Sequence, residues 1–482
     1  MEITKHAAAL VDSHAPVFTE LADAIWGTPQ LRWAEFDAVE RQTALAEKYG
    51  FQITRALAGI PTAFSAEYGE DGPVIAFLGE YDGLAGLSQQ SGVAVRTPDS
   101  ANTSGNGHGC GHHLLGAGSL LAAVATAAYL KEHQLPGRVR YYGCPAEEAA
   151  AGKSFMVKGG EFDDVDAAVT WHPFPRMSTR QMLFLAYTQV YFTFRGVASH
   201  AGSTPHQGRS ALDALELMNV GVNFLREHMA DSSRIHYAIT DAGGESPNVV
   251  QAQATAYYIV RARTVAEMRE LYARVVKIAE GAALMTETEL EIRFDGASAE
   301  VLPNEVLEEV LHGHAQTLGG VPFDEADRTM AQEFLATCTP SQIEADRSRA
   351  GLSQDDTRAL HDCVPTLDSS QPRHQECGST DVGDVSWVTP TVQIFNPCYA
   401  LGSPPHSWQW VAQGKLPAAH KGMVHAAQVM AATAADLFTN PELLTRARTE
   451  FAETITRTPY DCPIPDGVLA PPVRALQKDP HV

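Results

Sequence analysis

PVIAFLGEYD, residues 73–82, is the stretch on which the fold turns. Pro73 to Leu78 is a short, unbroken apolar run that stops abruptly at Gly79-Glu80-Tyr81-Asp82, and it predicts a buried strand. Working outward, His112 to Glu132 carries a helical pattern, and Arg138 to Tyr142 (RVRYY) is a second strand ending in Cys144-Pro145-Ala146-Glu147-Glu148. Asp166 to Trp171 is a third strand, followed at once by His172-Pro173. Strand, helix, strand in this order predicts an α/β layer with a largely parallel central sheet flanked by helices. In such sheets ligands bind beyond the carboxyl ends of the strands. All three strands end there in acidic residues or histidine.

The texture changes near residue 184. Tyr187 to Arg195 (YTQVYFTFR) and Ala254 to Arg263 (ATAYYIVRAR) read as half-buried antiparallel strands, rich in aromatic and β-branched residues. Ser210 to His228 and Thr264 to Glu280 carry apolar residues at helical spacing. The alternating α/β texture returns afterwards, with Thr391 to Phe395 as a strand and Ala418 to Leu437 as a long helix. The expected organisation is one discontinuous domain, 1–183 and 301–482, interrupted by an inserted α+β domain, 184–300. Two domains also suit a chain of 482 residues, beyond the size at which one core stops growing. The proline-rich tail from Pro459 is expected to be an extended surface segment.

Composition bounds the function. With 35 Lys and Arg against 58 Asp and Glu, the formal charge is −23, a surface that repels phosphate backbones and makes nucleic acid an unsuitable partner. The first residues, Met1-Glu2-Ile3-Thr4-Lys5-His6, show no secretory pattern, so a cytoplasmic location is expected. Leu114 to Leu130, the longest apolar stretch, contains Gly, Ser and Thr and falls short of a membrane span. Seven scattered cysteines, odd in number and without CxxC pairs, suit a reducing compartment and argue against a disulfide framework.

The chemistry is concentrated in a few places. In Gly105-Asn106-Gly107-His108-Gly109-Cys110-Gly111-His112-His113, glycine at alternate positions lets the backbone wrap tightly, and a Cys and a His two residues apart suit zinc and its neighbours. The same stretch could be a glycine-rich turn holding a phosphate at a helix N-terminus, but it lacks the GxxxxGK[ST] pattern and its lysine. Glu147-Glu148 is either a solvated acidic loop or a pair that needs a cation or a proton. His172, and His406 in Gly402-Ser403-Pro404-Pro405-His406, could each be structural taken singly. Together Cys110, His112, Glu148, His172 and His406 supply enough donors for two divalent ions. Glu147 is left over beside Glu148, placed to handle a proton, and Asp82 can hydrogen-bond a metal-bound imidazole. No GxSxG elbow precedes a helix, so serine-hydrolase chemistry lacks a basis.

These segments also carry a family resemblance. GEYDGLAGLSQ (79–89), GNGHGCGHHLLGAGSL (105–120), YYGCPAEEAAAGKSFM (141–156), TWHPFP (170–175), GVASHAGSTPHQGRSALDA (196–214), GGESPNVV (243–250) and AHKGMVHAA (419–427) occur in order over most of the chain. The chain resembles the dinuclear metallopeptidases of the aminoacylase, carboxypeptidase and desuccinylase type, in the branch that processes N-acyl amino acids. The resemblance implies that Cys110, His112, Glu148, His172 and His406 bind two ions, Mn or Zn. It implies Glu147 as general base, with Asp82 in support. It makes the inserted domain a lid and dimerisation domain, through a homodimer or a paired related subunit, with His200 contributed to the neighbouring subunit's site, Asn248 touching substrate and Arg261 anchoring a substrate carboxylate. His206 and His236 are read as structural. The expected reaction is amide hydrolysis of p-aminobenzoyl-glutamate or a similar aryl-acyl amino acid. β-Alanyl or related dipeptides are the alternative substrates, and a non-catalytic binding scaffold the alternative role. One departure stands out: Glu80-Tyr81-Asp82 occupies the place of a His-x-Asp motif, and Cys110 that of a bridging Asp.

Overall fold

The structure, a computed structural model, describes residues 1–353 and 355–470. The part of the proline-rich tail after residue 470 lies outside the described residues. Among the described residues the strands, numbered along the chain, are β1 Gln52–Arg55, β2 Phe64–Tyr68, β3 Val74–Glu80, β4 Arg138–Cys144, β5 Ala167–Phe174, β6 Ala186–Arg195, β7 Arg234–Asp241, β8 Gln253–Ala262, β9 Glu289–Ser298 and β10 Thr391–Pro397. They form two sheets in two compact units.

The first unit comprises Met1–Met182, Leu302–Arg373 and Val385–Tyr460. Its sheet has the order β1-β2-β4-β3-β5-β10. β4, β3, β5 and β10 run parallel, and β2 and β1 are added antiparallel at one edge. The sheet is therefore α/β and largely parallel. β3 is buried at every residue because it is central and covered on both faces. Two helices, His112–His133 and Pro417–Thr439, pack against each other and against Glu2–Gly27. His112–His133 is long and apolar enough to cross a membrane, but 94% of its most apolar stretch is buried inside the fold. It is the buried core helix that its Gly, Ser and Thr content suggests.

That helix starts where β3 ends. A Cβ added to Gly116 would lie 2.5 Å from the Glu80 carbonyl oxygen, so glycine lets the first turn of the helix close onto the strand end. Gly116→Ala is expected to push the two apart and to destabilise the fold by about 1–3 kcal/mol, the usual scale of overpacking. Denaturant unfolding measures this, and an unchanged midpoint would show that the contact is not tight.

Among the described residues the second unit comprises Leu183–Val301, His374–Asp384 and 461–470. Its antiparallel sheet has the order β7-β8-β6-β9. Burial alternates strictly along β8, as expected for a sheet covered on one face only. Helices Ala211–Leu225 and Val265–Thr286 supply that cover, and Val190, Phe192, Leu215, Met218, Tyr258 and Val275 are among the core residues between. Ser210 and Thr264 cap them by accepting hydrogen bonds from the Asp213 and Glu267 amides. Residues 374–384 join this unit through Leu183 and Leu185, whose amides donate to the carbonyls of His374 and Gly378.

Candidate metal centre

The carboxyl ends of β3, β4 and β5 converge with two loops on one group of donors in the first unit. Cys110 and His112 flank Gly111, whose positive φ of 81° turns the chain into the helix. A side chain at Gly111 would meet the Tyr399 hydroxyl at 2.2 Å, so glycine is required on both counts. His112 is fully buried, and its Nδ1 lies 2.8 Å from Asp82 Oδ1. An ionised carboxylate only accepts, so Nδ1 carries the proton and the Nε2 lone pair faces the site. The other Asp82 oxygen accepts from the Glu148 backbone amide at 2.9 Å, which ties the acidic pair to the same anchor.

His172, near the end of β5, donates from Nδ1 to the Pro173 carbonyl at 2.8 Å and aims Nε2 at Cys110 Sγ, 3.5 Å away. Glu148 Oε2 lies 3.3 Å from His406 Nε2. His406 sits in a left-handed conformation, φ 56°, with its amide bonded to the Gly109 carbonyl. His112 Nε2 is 3.1 Å from Glu80 Oε2 and 3.8 Å from Glu147 Oε2. The donors therefore form three overlapping trios: Cys110, His112 and His172; Cys110, Glu148 and His406; Glu80, His112 and Glu147.

These separations suit shared cations. Donors on one tetrahedral ion stand about 3.4 Å apart for nitrogen and oxygen, and about 3.6 Å for sulfur and nitrogen. Three buried atoms, His112 Nε2, Glu80 Oε2 and Glu148 Oε1, have no hydrogen-bond partner among the described residues. Burying such atoms unpaired is costly, and cations bound at the overlapping trios would offset that cost. Burial pushes the Cys110 thiol well up and the His172 ring down to about 4. Burial opposes a charge on His112 too, yet Cys110, Asp82 and Glu80 around it hold that ring well above its ordinary range. Surroundings that anionic favour positive charge at Nε2, as a proton or a metal ion.

Glu147 and Glu148 start a four-residue helix, Glu147–Ala150, bracketed by Ala146 and Ala151, both with positive φ. Two buried residues hold this strained turn. Glu35 accepts from the Ala146 amide at 3.0 Å, and Arg32 donates to the Ala149 carbonyl at 2.5 Å. Burial, and then the nearby Asp82 charge, push Glu35 up to about 8. Glu35→Leu is expected to cost about 1–3 kcal/mol, the usual penalty for stranding a buried donor. Glu35→Gln keeps an acceptor and is expected to stay close to the parent. Equal unfolding midpoints for the two variants would contradict this brace.

Sequence alone does not single out Lys153, Arg32 or Glu35, and it points to Glu80 only at the end of the first strand, in the Glu80-Tyr81-Asp82 departure from a His-x-Asp motif. His108 and His113, in the same glycine-rich stretch as Cys110, are structural: their Nε2 atoms donate to the carbonyls of Ile25 and Gly414.

The remaining residues lie in the second unit. His200 is exposed, and its Nδ1 accepts from the Gly202 and Ser203 amides at 3.1 and 3.0 Å, which leaves the proton on Nε2. Asn248 is exposed on the adjoining segment, its carbonyl accepting from the Ala201 amide. Arg261 on β8 donates to Ser379 Oγ at 2.6 Å, with its guanidinium over the Tyr187 ring. His236 is on β7, its pKa lowered by burial, and His206 is exposed in a turn.

The sequence description of Peptidase family M20/M25/M40 matches residues 76–429. A p-aminobenzoyl-glutamate hydrolase subunit of Escherichia coli (strain K12) is 44% identical over 98% of this chain and 100% of its own length. The Xaa-Arg dipeptidase of Mus musculus is 27% identical over 93% and 92%. Among solved structures, a dinuclear metal-binding peptidase of Bacillus subtilis shares the fold, with a TM-score of 0.52, 17% identity, and coverage of 89% of this chain and 99% of that one.

Proposed function

This chain belongs to peptidase family M20/M25/M40, and from that premise we propose that it hydrolyses the amide bond of p-aminobenzoyl-glutamate or a similar aryl-acyl amino acid. It is a metal-dependent amidohydrolase. The observation that carries the site assignment is the overlap of the donor trios, in which the first shares Cys110 with the second and His112 with the third. Cys110, His112, Glu148, His172 and His406 hold two divalent ions, manganese or zinc.

Bound there, two divalent ions would supply Lewis acidity to activate a water and the substrate carbonyl. Glu147 would accept a proton from the attacking water and deliver it to the leaving nitrogen. Asp82 keeps the His112 Nε2 lone pair turned into the site. His200 Nε2–H and the Asn248 side-chain amide donate to the developing oxyanion. Arg261 receives the free carboxylate of the substrate.

We assign His200 to the site of a neighbouring subunit, in a homodimer through the second unit or in a mixed assembly with a related chain. Mixing inactive Glu147→Ala and His200→Ala proteins is then expected to restore about a quarter of the parent activity, the statistical yield for exchanging two-fold dimers. No recovery after proven subunit exchange would place His200 in its own subunit's site or outside catalysis. Seven scattered cysteines, none in a disulfide among the described residues, suit a cytoplasmic location.

A panel of p-aminobenzoyl-glutamate, other aryl-acyl amino acids, β-alanyl dipeptides and Xaa-Arg dipeptides tests the substrate. The expected result is a preference for the aryl-acyl amide. Preference for the dipeptides would favour the dipeptidase reading, and binding without turnover the scaffold.

A further inference from the structure

Glu80 is an acid at the end of a fully buried strand, and its two oxygens do different things. Oε1 accepts from Lys153 Nζ at 2.6 Å, with both side chains almost wholly buried. Oε2 has no hydrogen-bond partner and faces His112 Nε2 at 3.1 Å. With the proton held on His112 Nδ1 by Asp82, two lone pairs confront each other at that distance. A proton or a cation must lie between them.

Resting on the dinuclear reading above, we propose that Glu80 is itself a metal ligand, sharing with His112 one of the two ions, and that Lys153 is the positioning residue that turns Oε2 toward it. Charge supports this. Cys110 as thiolate with Glu80, Asp82, Glu147 and Glu148 as carboxylates bring five negative charges, and two divalent ions with Lys153 bring five positive ones. Without the lysine a sixth donor that is anionic would leave the site with excess negative charge. A separation of 3.1 Å is also within the range for two donors at about 2.1 Å from one ion. Sequence spacing gives no hint of the pairing, since 73 positions separate the two residues and only the packing of Gly152–Lys158 against the sheet end joins them.

Changing Glu80 alone would strand a buried ammonium and can unfold the chain. The test therefore uses two charge-balanced variants, Glu80→His/Lys153→Met and Glu80→Gln/Lys153→Met. Both remove the ion pair, but only the first restores a strong neutral donor. Each is stripped with chelator, shown to be folded by circular dichroism, titrated with Mn²⁺ or Zn²⁺, and its bound metal counted beside the wild type. The expected result is two ions for the wild type and the histidine variant. The glutamine variant is expected to hold one ion, or to bind the second with a Kd raised at least about 100-fold, the upper end of the effect of losing a supporting residue. Equal stoichiometry and affinity in the two variants would overturn the ligand role of Glu80. A wild type holding fewer than two ions would overturn the dinuclear reading and this inference with it.

Discussion

Glu147→Ala is expected to lower turnover by about two to four orders of magnitude, the scale on which a positioned general base acts. Metal content should not change. The carboxylate is 12% exposed, at the edge of the donor group, and its oxygen stands 3.8 Å from His112 Nε2, against 3.1 Å for Glu80 Oε2. Glu148 next to it points instead to His406. The two carboxylates thus face different partners from a turn bounded by Ala146 and Ala151 and braced by Glu35. Kinetics and metal counting on the same preparation separate the roles. Loss of one ion would make Glu147 a ligand, and parent-level turnover would remove it from the chemistry.

The second large effect is expected on removing metal. Stripping with chelator should abolish hydrolysis and lower the unfolding temperature, and reloading should restore both. His112, Glu80 and Glu148 each keep a buried atom without a hydrogen-bond partner among the described residues, so a bound cation is expected to add its binding energy to the stability of the strand ends. An ion at about a hundred times its Kd adds about 2.7 kcal/mol per site to the folded state. Hydrolysis undiminished after verified stripping would contradict the metal-dependent mechanism at this centre.

The sheet that carries the site was legible because β3 and β5 are apolar at nearly every position, the signature of strands buried on both faces. The expected runs at 73–78, 138–142, 166–171 and 391–395 are Val74–Glu80, Arg138–Cys144, Ala167–Phe174 and Thr391–Pro397. The antiparallel edge formed by β1 and β2 was not anticipated; β1, QITR, is four residues long and mostly exposed. The structure brings together all five donors that the sequence singled out, with Asp82 on His112. What the sequence could not show is longer-range or conformational. Alanine gives no sign that Ala146 and Ala151 are left-handed, and nothing near Glu35 in sequence points to the Ala146 amide. The join of 374–384 to the second unit combines backbone hydrogen bonds with side-chain ones such as Arg261 to Ser379, between residues more than a hundred positions apart in sequence.

The central claim is that this group of residues holds two ions. Metal analysis of the full chain, purified without chelator and counted per polypeptide, tests it most directly. Two equivalents of manganese or zinc per chain are expected, falling in Cys110→Ala and His172→Ala variants that remain folded. Less than one equivalent in a folded chain reloaded with either metal would contradict it.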